Sequence, residues 1–553
     1  MEINRAIIAV VLSVVIFIGW TYFFGPKTSR QTETELEQPV QEAPPTTASP
    51  AISAQETAQP SPEPVTPPQG APRLIVVDNG VLHLVFSEVG GRLVSCQLLH
   101  FLEDTSPGAP GKELVEIEEA GLAPLGLTSI QGSIQGLDEA RFQALTDLGS
   151  LSAWEREATL AFRWVSPQGV EVVKRYRIRP QDYLFDLEVE LTNRSGQNID
   201  DNLGLILNAR HDPKEGGRYA FKGFGCYVDD ELHEKKPGKL KEPKVFAGRI
   251  SWGGYENSYF LQAIVPEEGQ GSLRGELLDQ TKDKELVSVR FTSSPYSLAV
   301  GSVKSFRFKL FFGPKEIDLL DEQGYDLAES INMGWFDIIA KPFLFFLKFI
   351  YNHLHNYGLA IIILTVCVKV VFWPLTQKSY KSMNAMRALQ PQMAKVREKW
   401  KGDKQRLNQE MMALYKSYKV NPMGGCLPMI VQIPVFIALY RLLDYAIELR
   451  HAPFWLWIND LSAPDRLFHL PNIPFMDPPY GIPVLTLLMG ASMFFQQKMT
   501  PMGGDPMQAK MMLFMPFIFT VIFINFPSGL VLYWFINNLL SVAQQMMVYR
   551  QKT

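Results

Sequence analysis

The sequence predicts a multi-domain protein: an α-helical polytopic membrane core of six spans, the first an amino-terminal anchor, carrying a large external antiparallel β-sandwich. Three observations predict it. Apolar residues, 46% of the 553, gather in blocks near both ends of the chain. Between the blocks lies a long stretch whose hydropathy alternates with a period of two. Charge also divides along the chain. Residues before Met333 carry 32 Lys+Arg against 47 Asp+Glu, and those from Met333 onward carry 21 against 10, beneath a net charge of only −4. The length exceeds what one core organises, and the apolar blocks exclude both a purely soluble chain and a mostly disordered one. Four cysteines, Cys96, Cys226, Cys367 and Cys426, exclude a disulfide scaffold. No histidine or cysteine spacing suits a metal, so no metal and no cofactor is expected.

The first apolar block, Ala6 to Phe24, is longer than a signal-peptide core and lacks a small-residue cleavage site. It reads as an uncleaved anchor over residues 1–26, with a cleaved signal peptide as the alternative. Residues 27–73 hold ten prolines between Pro39 and Pro72 and almost no aromatics, the composition of a disordered tether. From residue 74 to 324 Phe185, Leu187, Val189 and Leu191 alternate with Asp186, Glu188 and Glu190, and Phe306, Phe308 and Leu310 with Arg307 and Lys309. Val287, Val289 and Phe291 repeat the pattern. Alternation of this kind makes half-buried strands, and about 250 residues of it make an antiparallel sandwich.

Residues 325–356 supply an apolar helix on which Asp337, Lys341 and Lys348 form a narrow polar stripe, suited to a membrane interface or, alternatively, to a connector packed on the sandwich. Pro342 is expected to kink it. Five further spans follow in the core, residues 357–553: Tyr357 to Leu375, Leu427 to Ile447, Ile482 to Gln497, Met512 to Asn525 and Ser528 to Val548. The segment Thr376 to Pro422 carries eleven Lys/Arg and three Asp/Glu, whereas Ile447 to Tyr480 carries two and four. The first is therefore cytoplasmic and the second external, which places both termini in the cytoplasm and the acidic domain outside.

Lys369 sits inside the second span, about six residues from its cytoplasmic end, where a lysine costs on the order of 2.5–3.5 kcal/mol. Snorkelling of its four-carbon stem is one way to meet that cost. A wet cavity is the other: Thr365, Lys369 and Trp373 share a face at i, i+4 and i+8, Gln432 lies at similar depth in the third span, and Asn537 and Asn538 in the sixth. Apart from Asp444 no carboxylate occupies a span, so a proton pump is not expected. Residues 378–418 read as a cytoplasmic helical hairpin. Met383, Met386, Met393, Val396 and Trp400 form one stripe, Leu407, Met411, Leu414, Tyr415 and Tyr418 another, and Asp403 caps the second helix after a Lys401-Gly402-Asp403 turn. Its basic outer faces suit lipid headgroups, ribosomal RNA or acidic partners. Every methionine but the initiator lies at or beyond Met333, which fits a surface that meets varied apolar segments as well as ordinary packing. No phosphate-binding loop, zinc-protease motif or nucleophile elbow occurs, so enzymatic chemistry is not expected.

The stretches from Asp403 to Lys416, Val420 to Pro428 (VNPMGGCLP), Gln432 to Tyr440 (QIPVFIALY), Ala452 to Ala463 and Phe526 to Trp534 (FPSGLVLYW) closely resemble the YidC-type membrane protein insertases of Gram-negative bacteria. The resemblance spans about Trp335 to Arg550. It implies a non-enzymatic insertase and chaperone that accepts nascent membrane proteins, alone or beside the Sec translocon including SecDF. Ribosome and signal recognition components would meet the cytoplasmic loops, and membrane lipids the spans. It further implies a bacterial inner-membrane location, a periplasmic domain of galactose-mutarotase-like supersandwich fold, and a hydrophilic groove open to the cytoplasm and closed outside. Lys369 occupies the position of the groove cation, where most Gram-negative relatives have Arg. Thr365 matches a groove threonine, Gln432 and Tyr533 complete the lining, and Trp534 stands where a tyrosine is usual. Retaining charge without the bidentate guanidinium fork argues for a general electrostatic role.

A transporter or channel with its path at Lys369 is the main alternative, although no internal repeat supports it. An external carbohydrate enzyme is the other, and His83, His100, His211 and His233 are too scattered for one.

Overall fold

In the computed structural model the chain is described over residues 71–212, 221–267, 270–281, 284–418, 420, 427–468, 470, 471, 473, 476–499 and 506–550. The predicted anchor at 1–26, the predicted tether up to residue 70 and residues 421–426 lie outside them.

Among the described residues twenty strands run from Leu74 to Pro314. Leu184–Asn193 shows how they form: Phe185, Leu187, Val189 and Leu191 are buried while Asp186, Glu188 and Glu190 are half exposed, as alternation demands of a strand with one covered face. It pairs antiparallel with Val303–Pro314, placing Leu187 opposite Phe308 and Val189 opposite Phe306, and on its other edge with Val170–Ile178. The longest strand, Lys244–Glu256, changes partners along its length. Its first half pairs with Gln270–Thr281 and its second half with Phe260–Pro266. In the neighbouring strand the alternation vanishes, and every residue of Phe260–Pro266 is buried, because both of its faces are covered. One ladder departs from the antiparallel expectation: Val76–Asp78 runs parallel to Ser150–Ser152. Between the sheets Phe86 meets Phe162 and Tyr176, with ring centroids 6.4 and 4.6 Å apart. Lys174 lies fully buried beside them, donating to the carbonyls of Gly90, Gly91 and Leu125 at 3.0, 2.7 and 2.6 Å.

Nine helices of the described residues follow: α1 (Ile317–Gln323), α2 (Asp337–Leu354), α3 (Tyr357–Val371), α4 (Trp373–Lys399), α5 (Lys404–Ser417), α6 (Leu427–Tyr445), α7 (Val484–Met499), α8 (Pro506–Phe523) and α9 (Ser528–Arg550). Helix α2 buries Ala340, Leu344 and Leu347 and leaves Ile338, Phe345 and Phe349 on the surface. It runs as one element through Pro342. Of its polar stripe only Asp337 and Lys341 pair with each other, at 3.7 Å.

The second predicted span does not reach Leu375. Helix α3 ends at Val371, and the chain turns by 65° into α4, whose first two residues are Trp373 and Pro374. Proline has no N–H to continue the ladder and suits the first turn of a new helix. Among the described residues no single helix is long and apolar enough to cross a membrane, although α3 and α4 together meet that test and Met511–Phe523 is a shorter apolar helix. Close crossings depend on glycine at two points. A Cβ on Gly358 of α3 would overlap the Phe454 ring, and one on Gly490 of α7 would overlap Thr520 of α8.

The helical pair α4 and α5 forms as expected at its turn, where Asp403 Oδ1 accepts from Gln405 N and Arg406 N at 3.1 and 3.0 Å. Met386, Leu389 and Met393 pack with Tyr415 and Val420. Met383 leaves that stripe to join Tyr380 and Val548 of α9, and Trp400 lies instead beneath the charges of Lys399 and Arg406.

Polar contacts join the β domain to the helices. Lys348 of α2 pairs with Glu316 at 3.4 Å, with Asp318 of α1, and with Glu448 at 3.3 Å. Arg450 donates to the carbonyls of Leu102 and Glu103 at 2.8 and 3.1 Å. Phe221 N–H donates to Tyr445 Oη at 3.0 Å.

Candidate functional site

Helix α3 positions the candidate cation. Asn356 caps it, accepting from Leu359 N at 3.0 Å, and an almost unbroken apolar run keeps its backbone helical. Its inward face carries Tyr357, Ala360, Ile361, Leu364, Thr365 and Lys369, all buried, the three- and four-residue spacing of a single stripe. Because the helix stops at Val371, Lys369 belongs to its last turn rather than lying six residues from its end. Free carbonyls at a helix C-terminus favour a cation there.

Lys369 is buried, 7% exposed. Its Nζ donates to Ser541 Oγ of α9 at 2.6 Å, and among the described residues no carboxylate forms an ion pair with it. Thr365, one turn before it, donates its hydroxyl to Ile361 O at 2.6 Å and so spends its proton within α3. Gln432 of α6 and Tyr533 of α9 meet directly, Gln432 Nε2 donating to Tyr533 Oη. Trp534, the next residue on α9, enters an aromatic cluster with Phe436 of α6 and Phe523 of α8, with centroids 4.9 and 5.4 Å away. The structure thus joins Gln432 to Tyr533, joins Lys369 to Ser541, and gives Trp534 to neighbouring rings. Consecutive positions on a helix are about 100° apart, so Tyr533 and Trp534 necessarily face different neighbours.

Sequence reasoning named Asn537 and Asn538 on α9 and missed the rest of their series. Asn538 Nδ2 donates to Ser492 Oγ of α7 at 3.1 Å. Ser541 Oγ donates back to Asn537 O at 2.7 Å. Gln544 and Thr376 of α4 exchange hydrogen bonds through Oε1, Nε2 and Oγ1 at 3.1 and 2.9 Å, and Gln545 Nε2 donates to Met499 O at 3.2 Å. A polar seam therefore runs along α9, binding it to α3, α4 and α7. Its sequence signal was the recurrence of Asn, Ser and Gln at three- and four-residue intervals from 537 to 545. Such a seam can hold a buried charge, exchange hydrogen bonds with a passing polar segment and fix helix rotation. Among the described residues no cluster of metal ligands occurs.

Comparison with known proteins bears on the whole chain. A family described as the 60Kd inner membrane protein matches residues 349–553, and one described as the YidC periplasmic domain matches residues 74–346. The Membrane protein insertase YidC of Syntrophus aciditrophicus (strain SB) is 40% identical over 560 residues, covering 99% of each chain. That of Geotalea daltonii (strain DSM 22248 / JCM 15807 / FRC-32) is 42% identical over 546 residues, covering 98% of each. A solved structure described as an active YidC insertase with the first transmembrane domain resolved is 19% identical and covers 86% of this chain and 92% of its own, with a TM-score of 0.38. With identity near 40% sustained from end to end and both family regions in order, the chain belongs to the YidC family of membrane protein insertases, proteins of the inner membrane.

Proposed function

We propose that this insertase moves the polar flanks of nascent membrane proteins past Lys369, within a groove lined by Thr365, Gln432, Tyr533 and Trp534 and open to the cytoplasm and to lipid. The observation that carries the reading is a buried ammonium with a neutral hydroxyl as its hydrogen-bond partner, set in the last turn of a helix of 15 residues. At 1.5 Å per residue that helix covers roughly 22 Å of a hydrocarbon layer about 30 Å thick. Helix α7, with 16 residues, is scarcely longer. Short apolar helices draw the bilayer thinner around them, and an uncancelled cation attracts acidic flanks in a medium of low dielectric. Each effect shortens the apolar distance a translocating tail must cross. The apolar segment that follows then partitions into lipid by the hydrophobic effect.

In this reading α3, α6, α7, α8 and α9 are five spans which, with the amino-terminal anchor, make six. Both termini lie in the cytoplasm, α4 and α5 form a cytoplasmic hairpin at 378–418, and the β domain is a periplasmic supersandwich. The domain boundaries follow the sequence: anchor 1–26, linker 27–73, β domain 74–324, interfacial helix 325–356, insertase core 357–553. The excess of basic residues in Thr376 to Pro422 supports the orientation. The Sec translocon with SecDF, the ribosome and signal recognition components are its expected partners, the last two at the cytoplasmic loops, and membrane lipids surround the spans.

Photocrosslinkers placed at positions 365, 369, 432 and 534 test the path. Stalled nascent chains should crosslink at 365, 369, 432 and 534 as the client's first polar flank enters. Adducts confined to lipid at all four positions would sink the groove.

A further inference from the structure

We infer that Ser541 is a positioning residue for insertion: it holds the Lys369 ammonium at a fixed place in the groove without cancelling its charge, and so sets the preference for acidic over neutral client flanks. The inference rests on the reading of Lys369 as the groove cation.

The hydrogen-bond directions carry it. A serine hydroxyl has one proton and two acceptor lone pairs. Ser541 commits the proton to Asn537 O at 2.7 Å, which leaves its lone pairs for Lys369 Nζ at 2.6 Å. The hydroxyl cannot rotate to donate elsewhere without giving up the carbonyl, so its acceptor side stays turned to the ammonium. Ser541 itself is buried, 3% exposed. Its helix is held on either side of it: Asn538, three residues before, donates to Ser492 of α7, and Gln544, three residues after, exchanges hydrogen bonds with Thr376 of α4. A hydrogen-bonding group on a helix fixed at neighbouring turns is placed more accurately than one on a loop.

The chemistry of residue 541 then decides what the cation can do. A hydroxyl satisfies one of three ammonium N–H groups and leaves the full positive charge to act on a client. A carboxylate in its place would pair with the charge and remove that action. An apolar side chain would release the ammonium, whose four-carbon stem could then carry it toward the nearest water. Threonine keeps the hydroxyl and should substitute for serine.

The full-length insertase, reconstituted in liposomes, is to be given two clients that differ only in the translocated flank, one acidic and one uncharged. Ser541→Ala should reduce the acidic-over-neutral insertion ratio between about threefold and tenfold, the equivalent of one ordinary net hydrogen bond. Ser541→Asp should bring the ratio to one, and Ser541→Thr should leave it near wild type. Lys369→Ala measured in parallel separates the two readings. If Lys369→Ala leaves the ratio unchanged, the groove-cation reading fails and this inference with it. If Lys369→Ala abolishes the ratio while Ser541→Ala preserves it, the inference about Ser541 alone is overturned. The double variant Lys369→Ala/Ser541→Ala should lose no more than Lys369→Ala; an additive loss would mean that Ser541 acts on packing and would also overturn the inference. Should Ser541→Asp fail to fold, the Ala and Thr arms decide.

Discussion

Two buried lysines divide the molecule between them. Lys174, in the β domain, places its ammonium against three backbone carbonyls. Lys369, in the helical half, is nearly as deeply buried and has a single side-chain hydroxyl. An ammonium has three N–H groups, so the first is saturated and the second is not. In the β domain the cation is a tie between the strand Val170–Ile178 and the loops at Gly90 and Leu125, where burial, reinforced by the Arg92 charge, pushes its pKa down. In the helical half the same group is left with hydrogen-bonding capacity. Saturation serves a fold, whereas an unsaturated buried charge costs stability.

The comparison breaks most visibly at Lys174. Lys174→Met should cost on the order of 3 kcal/mol or more, because three buried carbonyls lose their partner. Thermal unfolding of the purified full chain should show the β domain transition falling by many degrees, with insertion failing only as the protein unfolds. An unchanged transition would mean that the carbonyls find other donors, and the contrast would lose its structural arm.

The converse variant, Lys369→Ala, should leave the unfolding temperature close to wild type and reduce insertion at least about tenfold, a change of ~1.4 kcal/mol. Lys369→Arg should retain activity. Complementation of an insertase-depleted strain reads both, and growth with Lys369→Ala equal to wild type would remove the functional arm.

A smaller effect is expected where the halves meet. Lys348 lies between Glu316, Asp318 and Glu448, and Lys348→Met should weaken the docking of the β domain by about 1 kcal/mol, given partial exposure and solvent screening. Faster protease cleavage of the 315–335 segment in the variant would report it.

The smallest effect is a pH dependence at the same junction. Glu234 faces Glu256, Lys315 and Arg441, with Lys236 adjacent, and burial, reinforced by the Glu256 charge, pushes its carboxyl up to about 7 from 4.5. The folded protein then holds a proton that the unfolded chain has already released. The associated stability is complete below about pH 4.5 and is lost as pH rises through about 7. Unfolding midpoints should therefore fall slightly across that window and stay level above it, and Glu234→Gln should remove the slope.

Much of the β domain was legible because one-faced strands announce themselves: Phe185 to Leu191 and Phe306 to Leu310 stand where alternation put them. Phe260–Pro266 was not legible as a strand, since burial on both sides erases the period. The enclosure of Lys174 is visible only in the structure. In the helical half the apolar blocks and the Asp403 cap were plain. The end of α3 was misplaced because hydropathy continues smoothly from Val371 through Trp373, whereas the helix breaks where Pro374 opens the next one.

Composition and periodicity alone determined that the chain has an acidic β domain, a basic helical half, and a lysine at position 369 that must be explained. These are local quantities, set by residue type and spacing. Only the tertiary structure decided that Ser541 meets this lysine, that Gln432 meets Tyr533 while Trp534 turns to Phe436, and that Lys348 joins the two halves. Which side chains touch depends on how each helix is rotated about its axis and how far it slides along its neighbour. A shift of one residue turns a side chain by about 100°, and packing against the other helices selects among those rotations.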